Sequence, residues 1–569
     1  MFLEKKRILA IYFVFLFFFT LLLGRLYQIQ FLDGPGYTKQ AVAQRQKTLN
    51  FVQYPRGEIL DRNFRPLTNI EQQPCVVIFP IMVKDASRTA EVLSKILALP
   101  PGTIRAKIEI EDSASTQVVK EPFILQANVS EQKNQLIRQA DLPGVYVLPL
   151  IPRYRPGWPA GHLLGYVGNL NQNEYQKLQE EEKDYQPSDV IGKNGLEKQY
   201  EEFLRGGTSQ KVAALVDDRG RHLSGRGFTL LPPVQEKTEE PHQVITSIDA
   251  DYQSVVEHAL EGHSGAVVVM DVWKGNILAM ASSPKYDPYL LEKPEADDAY
   301  LNKAMQNYPP ASVFKILIAA AALTEGVVKP EDSFHCQGGI TLPSGRIVSC
   351  WEKEGHGDIS FSQALAFSCN PVFVETGLKL GGEKIMAYAK RLGLTDDTII
   401  GYDLPQETHL DFNPAVPGDV ANASIGENGI SLSPVLVAKL ISEVANGGLA
   451  VTPRLVLKVQ DHLGKVVKEY PAPPSFPVLP GPVAERLKSM LALTVESGTG
   501  KSAQVPGIKC AGKTGSSERD EAWFAGFAPA DAPRWAVVVF IHKGTSGGRD
   551  AAPIFQKIVS GLAEIEEIL

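Results

Sequence analysis

Three short polar runs in this chain carry residue types able to do acyl chemistry. The first is Pro309-Pro310-Ala311-Ser312-Val313-Phe314-Lys315, which leads into the apolar stretch Ile316 to Leu323. Two prolines before an apolar helix set Ser312 at the helix start, where unpaired backbone N–H groups and the dipole favour an anion. Three residues on, Lys315 shares a face with Ser312 and can approach its Oγ. Apolar neighbours strip the amine of solvent, which lowers its pKa and fits it to act as a base. Read alone, the same pair is an N-cap serine and a snorkelling lysine. The second run, Ser368-Cys369-Asn370, stands in a stretch with few charges, and the third, Lys513-Thr514-Gly515-Ser516, follows the strand-like Ile508 to Gly512. On an edge strand a Lys-Thr-Gly triplet offers a cation, a hydroxyl and a close backbone approach, which suits a substrate carboxylate and amide. Each run is frequent by chance. The three together, in this order and setting, define a nucleophile site.

The elements that must position these runs are strands on either side of them. Val244 to Asp249 and Gly265 to Asp271 are strand-like, and Lys274-Gly275-Asn276 reads as a hairpin turn before Ile277 to Ala281. Ala522 to Phe527 and Arg534 to Ile541 form a similar pair, and Pro553 to Leu569 has helical spacing. Strands from both ends of this region with helices between them predict an antiparallel sheet covered by helices. Residues 31–240 read as a mixed α/β region with strands such as Cys75 to Phe79 and helices such as Asn171 to Glu180 and Gly195 to Leu204. Its pointed segments, Arg56 to Arg62, Gly161 to Gly165 and Gly192 to Glu197, read as turns and buried salt bridges holding a scaffold. The polar linker Pro232 to Pro241 marks the boundary.

With 569 residues the chain exceeds what one core needs, and two or three domains are expected. A net charge of -8 counts against a nucleic-acid partner, and five cysteines are too few for a disulfide scaffold. At the N-terminus, Lys5-Lys6-Arg7 precedes an uncharged run from Ile8 to Leu23, roughly 24 Å of helix, which a snorkelling Arg25 extends towards the membrane thickness. The run ends without a small-x-small cleavage site or a lipobox cysteine, so an uncleaved single-pass anchor is expected rather than a signal peptide. The preceding positive charges predict a cytoplasmic N-terminus and an extracytoplasmic remainder.

The set S-x-x-K, S-x-N and K-T-G resembles the penicillin-binding proteins and serine β-lactamases. Arg56-Gly57-Glu58-Ile59-Leu60-Asp61-Arg62 resembles the opening of the pedestal in class B penicillin-binding proteins. Gly192 to Glu197, Thr246 to Asp249 with Gln253, Gly275 to Met280, Tyr286-Asp287-Pro288, Ala445 to Gly448 and Gly498-Thr499-Gly500 are similar to that class too. Ala311 and Val313 depart from it, standing where glycine and threonine are common. The resemblance implies an α+β multidomain protein: anchor over 1–30, mixed α/β pedestal (dimerisation domain) over 31–240, and a serine β-lactamase-like transpeptidase domain over 241–569. It implies that Ser312 attacks the penultimate D-Ala carbonyl of a peptidoglycan stem peptide, with Lys315 as base and no cofactor needed for the acyl transfer. Ser368 would relay a proton to the leaving amine, and Asn370 would hold the substrate amide and Lys315. Lys513 and Thr514 would bind the terminal carboxylate, with Gly515 allowing close approach. The backbone N–H groups of Ser312 and Ser516 would form the oxyanion hole. Penicillin would acylate Ser312 as a substrate mimic.

Between the first two motifs runs Cys336-x13-Cys350-x5-His356-x12-Cys369. Three thiolates and an imidazole can close a tetrahedral zinc site, and the region resembles the elongation-type penicillin-binding protein 2 group, some members of which hold zinc beside the active site. A Cys336–Cys350 disulfide or free buried thiols are the alternatives; Cys75 and Cys510 read as buried small apolar residues. The rival activities are a β-lactamase, suggested by Glu407-Thr408-His409-Leu410-Asp411, a D,D-carboxypeptidase, and a silent β-lactam sensor or scaffold. The sequence offers no glycosyltransferase module, so family analogy implies a multi-pass SEDS-type membrane glycosyltransferase as partner, with elongation-complex scaffold proteins.

Overall fold

Val267 and Val269 face one side of a sheet while Ala266, Val268 and Met270 face the other, and both sides are buried. A strand covered on both faces reads as a continuous apolar run, as this one does. The computed structural model describes residues 2–33, 46–53, 56–109, 122–155, 157–185, 189–206, 208–215, 228–230, 234–235, 240–290 and 299–568. Helix α1 (Phe2–Tyr27) continues through a wider turn, Gln28–Leu32, and its exposed apolar stretch Leu9–Leu32 is long enough to cross a membrane.

The chain divides into two compact units, Met1–Pro55 with Gln73–Leu150 and Gly207–Thr238, and Arg56–Gln72 with Ile151–Gly206 and Glu239–Leu569. Segments 56–72 and 151–206 of the expected 31–240 pedestal are grouped in the second unit with the residues that carry the three motifs. Buried charge explains their return, since Arg56 is paired with Glu197 and Glu201 and Arg153 with Glu197. In the first unit, strand Gln73–Ile78 lies between Phe123–Gln126 and Val145–Leu150, both antiparallel to it, and Cys75, Val77, Phe79, Leu148 and Leu150 form its core.

The second unit contains α2 (Ala250–Leu260), β1 (Gly265–Asp271), β2 (Ile277–Ser283), α3 (Lys315–Thr324), α4 (Asn370–Leu380), α5 (Pro434–Ala445), α6 (Gly481–Glu496), β3 (Ala511–Ser516), β4 (Glu521–Ala528), β5 (Trp535–His542) and α7 (Ala552–Ile565). The five strands form one antiparallel sheet in the order β2-β1-β5-β4-β3. Strands from the two ends of the region thus meet at β1 and β5, as expected from the sequence. Helices α2 and α7 share one core with one face of the sheet, and α3, α5 and α6 share another with the opposite face. Strand β3 is left at the edge beside the start of α3, which brings Lys513-Thr514-Gly515 to the nucleophile.

Candidate active site

The turn carrying Ser312 is fixed from three directions. Trp523 Nε1 on β4 donates to Pro309 O at 3.0 Å, Ala311 N–H donates to Gly426 O at 3.1 Å, and the Tyr308 ring stacks on Phe540 at 4.1 Å. Residues Ala311–Phe314 form a 3-10 turn that passes directly into α3. Ala311 has a φ of +48°, a left-handed conformation that costs a residue with a Cβ about 1–2 kcal/mol. Glycine would carry no such cost there.

Lys315 is completely buried, and its Nζ donates to Ser368 O at 2.9 Å, Ser368 Oγ at 3.4 Å and Asn370 Oδ1 at 2.7 Å. Burial lowers its pKa to about 7, with Cys369, Cys350 and Glu427 pulling the other way. Ser368 also has a left-handed backbone, φ +57°. Asn370 is the first residue of α4, and its Nδ2 donates to Ser349 O at 3.1 Å, so both ends of its amide are engaged. On the opposite wall, a Cβ at Gly515 would lie 3.0 Å from Pro310 O and 3.1 Å from Val313 Cγ2. Glycine lets β3 close on the nucleophile turn. Lys513 is buried, donates to Thr514 O at 2.9 Å, and is held well below its usual pKa by burial and by the charge of Lys315. The Thr514 hydroxyl shares a 2.6 Å hydrogen bond with that of Thr499, and Ser516 Oγ accepts from Gly547 N–H at 3.0 Å. Ser312, Lys315, Ser368, Asn370, Lys513, Thr514, Gly515 and Ser516 therefore lie together where the starts of α3 and α4 meet β3.

Beside it, one ligand atom each of Cys336, Cys350, His356 and Cys369 lie within 4.8 Å of one another. Cys336 closes the strand Ser333–Cys336, Cys350 follows Ile347–Ser349, His356 precedes Gly357–Ser360, and Cys369 caps α4. All five cysteines are free thiols, so Cys336 and Cys350 are not linked; Cys75 and Cys510 are buried and are not members of the cluster. The Cys369 thiol hydrogen-bonds Cys350 and draws it towards the thiolate, while the same contact pushes Cys369 up. His356 Nδ1 is 3.5 Å from Cys350 Sγ, and its buried Nε2 has no partner among the described residues. A soft, thiol-rich donor set with an unsatisfied imidazole nitrogen fits zinc.

Residues 265–560 match the penicillin-binding protein transpeptidase domain. The chain belongs to that family. Residues 52–227 match the penicillin-binding protein dimerisation domain, and the two domains together make it a class B penicillin-binding protein. It is 29% identical to stage V sporulation protein D of Bacillus subtilis, over 98% of this chain and 85% of that protein. It is 28% identical to the peptidoglycan D,D-transpeptidase MrdA of Haemophilus influenzae, over 97% of this chain and 91% of that one. Among solved structures, the D,D-transpeptidase domain of a peptidoglycan glycosyltransferase from Eggerthella lenta is similar at 25% identity and a TM-score of 0.55, covering 63% of this chain and 96% of that one. Penicillin-binding protein A of M. tuberculosis, solved as a ceftriaxone acyl-enzyme, is similar at 26% identity and a TM-score of 0.51, covering 57% of this chain and 80% of that one.

The contact of the Thr499 hydroxyl with Thr514 is not legible in Gly498-Thr499-Gly500, and neither are the roles of Trp523 and the Ser349 carbonyl, which hold the motifs without belonging to one. Glu407, the residue that suggested a β-lactamase, accepts from Asn307 Nδ2 at 2.6 Å in an exposed pair.

Proposed function

We propose that this penicillin-binding protein cross-links peptidoglycan stem peptides by D,D-transpeptidation through a Ser312 ester. The observation that carries the reading is the buried Lys315 amine, bonded to Ser368 and Asn370 beside the nucleophile. As free base it takes the Ser312 proton while Oγ attacks the penultimate D-Ala carbonyl. The backbone N–H groups of Ser312 and Ser516 stabilise the oxyanion, each such donor being worth ~3 kcal/mol. Ser368 passes a proton to the departing D-Ala amine, and Asn370 orients the donor amide. Lys513 and Thr514 receive the terminal carboxylate; that anion offsets the repulsion between the two buried amines and favours a charged Lys513. Full-length protein incubated with fluorescent penicillin is expected to give a long-lived adduct that peptide mapping locates at Ser312. Rapid turnover of the adduct would indicate a β-lactamase, and no adduct a silent sensor or scaffold.

The same reading assigns residues 1–30 to a single-pass anchor with a cytoplasmic N-terminus, 31–240 to the pedestal and 241–569 to an extracytoplasmic transpeptidase domain. We assign the protein to cell elongation on the MrdA relatives and the cysteine-histidine region, working with a SEDS-type glycosyltransferase and scaffold proteins. Depletion is expected to stop cell elongation and so change cell shape; a defect confined to sporulation would favour the sporulation-type role instead.

Cys336, Cys350, His356 and Cys369 are the residues that would hold a structural zinc. Bound there, zinc would tie the loop over 336–357 to the start of α4 and so fix the direction of Asn370. Metal analysis of the full chain purified under reducing conditions is expected to find about one equivalent of zinc. Its absence overturns the assignment.

A further inference from the structure

The residues assigned so far serve the donor half of the reaction. The second half needs an amine, and an alkyl amine with a pKa near 10 arrives at neutral pH as an ammonium, which has no lone pair to attack with. Lys315 and Lys513 also repel a third cation. The acceptor side therefore calls for a carboxylate beside the nucleophile turn, and Glu427 directly follows Gly426, whose carbonyl accepts the Ala311 N–H; its charge also acts on the Lys315 amine.

Glu427 is tied to the nucleophile turn through its backbone. Its neighbour Gly426 accepts the Ala311 N–H at 3.1 Å, its own N–H donates to Asn422 O at 3.1 Å, and Gly429 O accepts from Asp411 N–H at 2.7 Å. Gly426 has a φ of +74°, and a Cβ there would fall 2.0 Å from Ala311 O. The loop thus cannot draw back from the turn without losing this fit. The charged groups facing Glu427 are Lys315 from α3 and Glu518, Arg519 and Glu521 from β4 and the turn between β3 and β4. Of these, the Glu521 carboxylate is engaged by Ser517 Oγ at 3.0 Å. The half-buried Glu427 carboxylate has no hydrogen bond or ion pair among the described residues. Burial raises its pKa to about 7, helped by Glu518 and Glu521, which suits a group that must both take and release a proton.

We propose that Glu427 is the acceptor-binding residue of this transpeptidase, receiving the ammonium of the incoming stem peptide and taking one proton from it. The inference rests on the transpeptidase reading. The ammonium gives one proton to the carboxylate, leaving a free amine and a carboxylic acid. The nitrogen lone pair then attacks the Ser312 ester carbonyl; a C–N bond forms, the C–Oγ bond breaks, and a proton from nitrogen passes by way of the Lys315 amine to Oγ. An amide and a restored serine hydroxyl result, and Glu427 releases its proton to solvent.

The test uses full-length protein in detergent, a D-alanyl thioester as donor and D-alanine as amine acceptor, and measures how the acyl-enzyme partitions between aminolysis and hydrolysis. Glu427→Gln is expected to lower the aminolysis-to-hydrolysis ratio at pH 7 by at least ~10-fold, with a raised acceptor KM. Raising the pH to 9 should recover much of the loss, because more of the acceptor then arrives as free base. Glu427→Asp should fall between the two, and it carries the test if the glutamine variant fails to fold. An unchanged partition ratio overturns the proposal, and so does an equal loss of penicillin acylation and aminolysis, which would move Glu427 to the donor side. If the wild-type chain forms no acyl-enzyme with penicillin or thioester, the transpeptidase reading itself fails.

Discussion

Replacing Lys315 with methionine is expected to slow penicillin acylation by a factor on the order of 10³ or more, while the protein stays folded. The side chain is fully buried, and its amine makes three hydrogen bonds, to Ser368 O, Ser368 Oγ and Asn370 Oδ1. Methionine fills similar space. It leaves those acceptors unpaired, which costs roughly 1–3 kcal/mol for each buried group, but it also removes the need to bury an amine without a carboxylate partner, so the net change in stability is small. Activity has no such compensation, because no other hydrogen-bonded base sits at the Ser312 turn among the described residues. The wild-type pH profile makes a linked test. Burial puts the Lys315 pKa at about 7, and only the unprotonated amine can accept the serine proton. Acylation should therefore rise about tenfold per pH unit below that value and level off above it. Second-order acylation rates from pH 5 to 9, with melting curves on both proteins, decide the matter. A Lys315→Met variant acylated at the wild-type rate would exclude Lys315 as the base.

The three motifs are legible in the sequence because acyl transfer demands particular groups at fixed short spacings: Ser312 and Lys315 lie on one helical turn, and Lys513 to Ser516 on one strand. The strands are legible for a related reason, since Val267 to Met270 and Val537 to Phe540 are buried on both faces and read as apolar runs. What the sequence hides is set by distant partners. Lys315 reads equally as a snorkelling residue until Ser368 and Asn370 are seen to receive its amine. Arg56 announces a turn but not the carboxylates of Glu197 and Glu201 that bring 151–206 into the second unit. Glu427 is one of 65 acidic residues and sits in no motif; its position follows from the backbone hydrogen bonds of its loop, the Gly426–Ala311 bond among them. The cysteine-histidine cluster is intermediate. Its residue types point to a metal, but only the fold shows that ligands from three strand ends and a helix cap converge.

The largest loss of stability is expected at Glu197, where substitution by alanine should cost about 3–5 kcal/mol. Its carboxylate is wholly buried and receives Arg56 Nε at 3.0 Å and Arg153 Nε at 2.5 Å, while Arg56 also reaches Glu201 at 2.7 Å. Burial acts to lower the Arg56 pKa, and the two carboxylates more than reverse this, leaving it raised and firmly charged. Removing Glu197 leaves two guanidinium groups with the single carboxylate of Glu201 in a largely buried place. The cluster joins residue 56, residue 153 and the 197–201 segment, and backbone bonds beside it add to this: Gly57 N–H donates to Leu204 O at 2.8 Å, and His242 N–H donates to Phe203 O at 2.8 Å. A surface pair in the same unit supplies the control. Arg65 and Asp251 are 2.8 Å apart, but their side chains are 40% and 57% exposed, so Asp251→Ala should cost no more than about 1 kcal/mol. Urea unfolding of both variants measures the difference. High salt should weaken the surface pair and leave the Glu197 effect nearly unchanged, because counterions screen exposed charges far better than buried ones. If Glu197→Ala costs no more than Asp251→Ala, then water must enter the cluster, and segments 56–72 and 151–206 must be held by their apolar contacts instead.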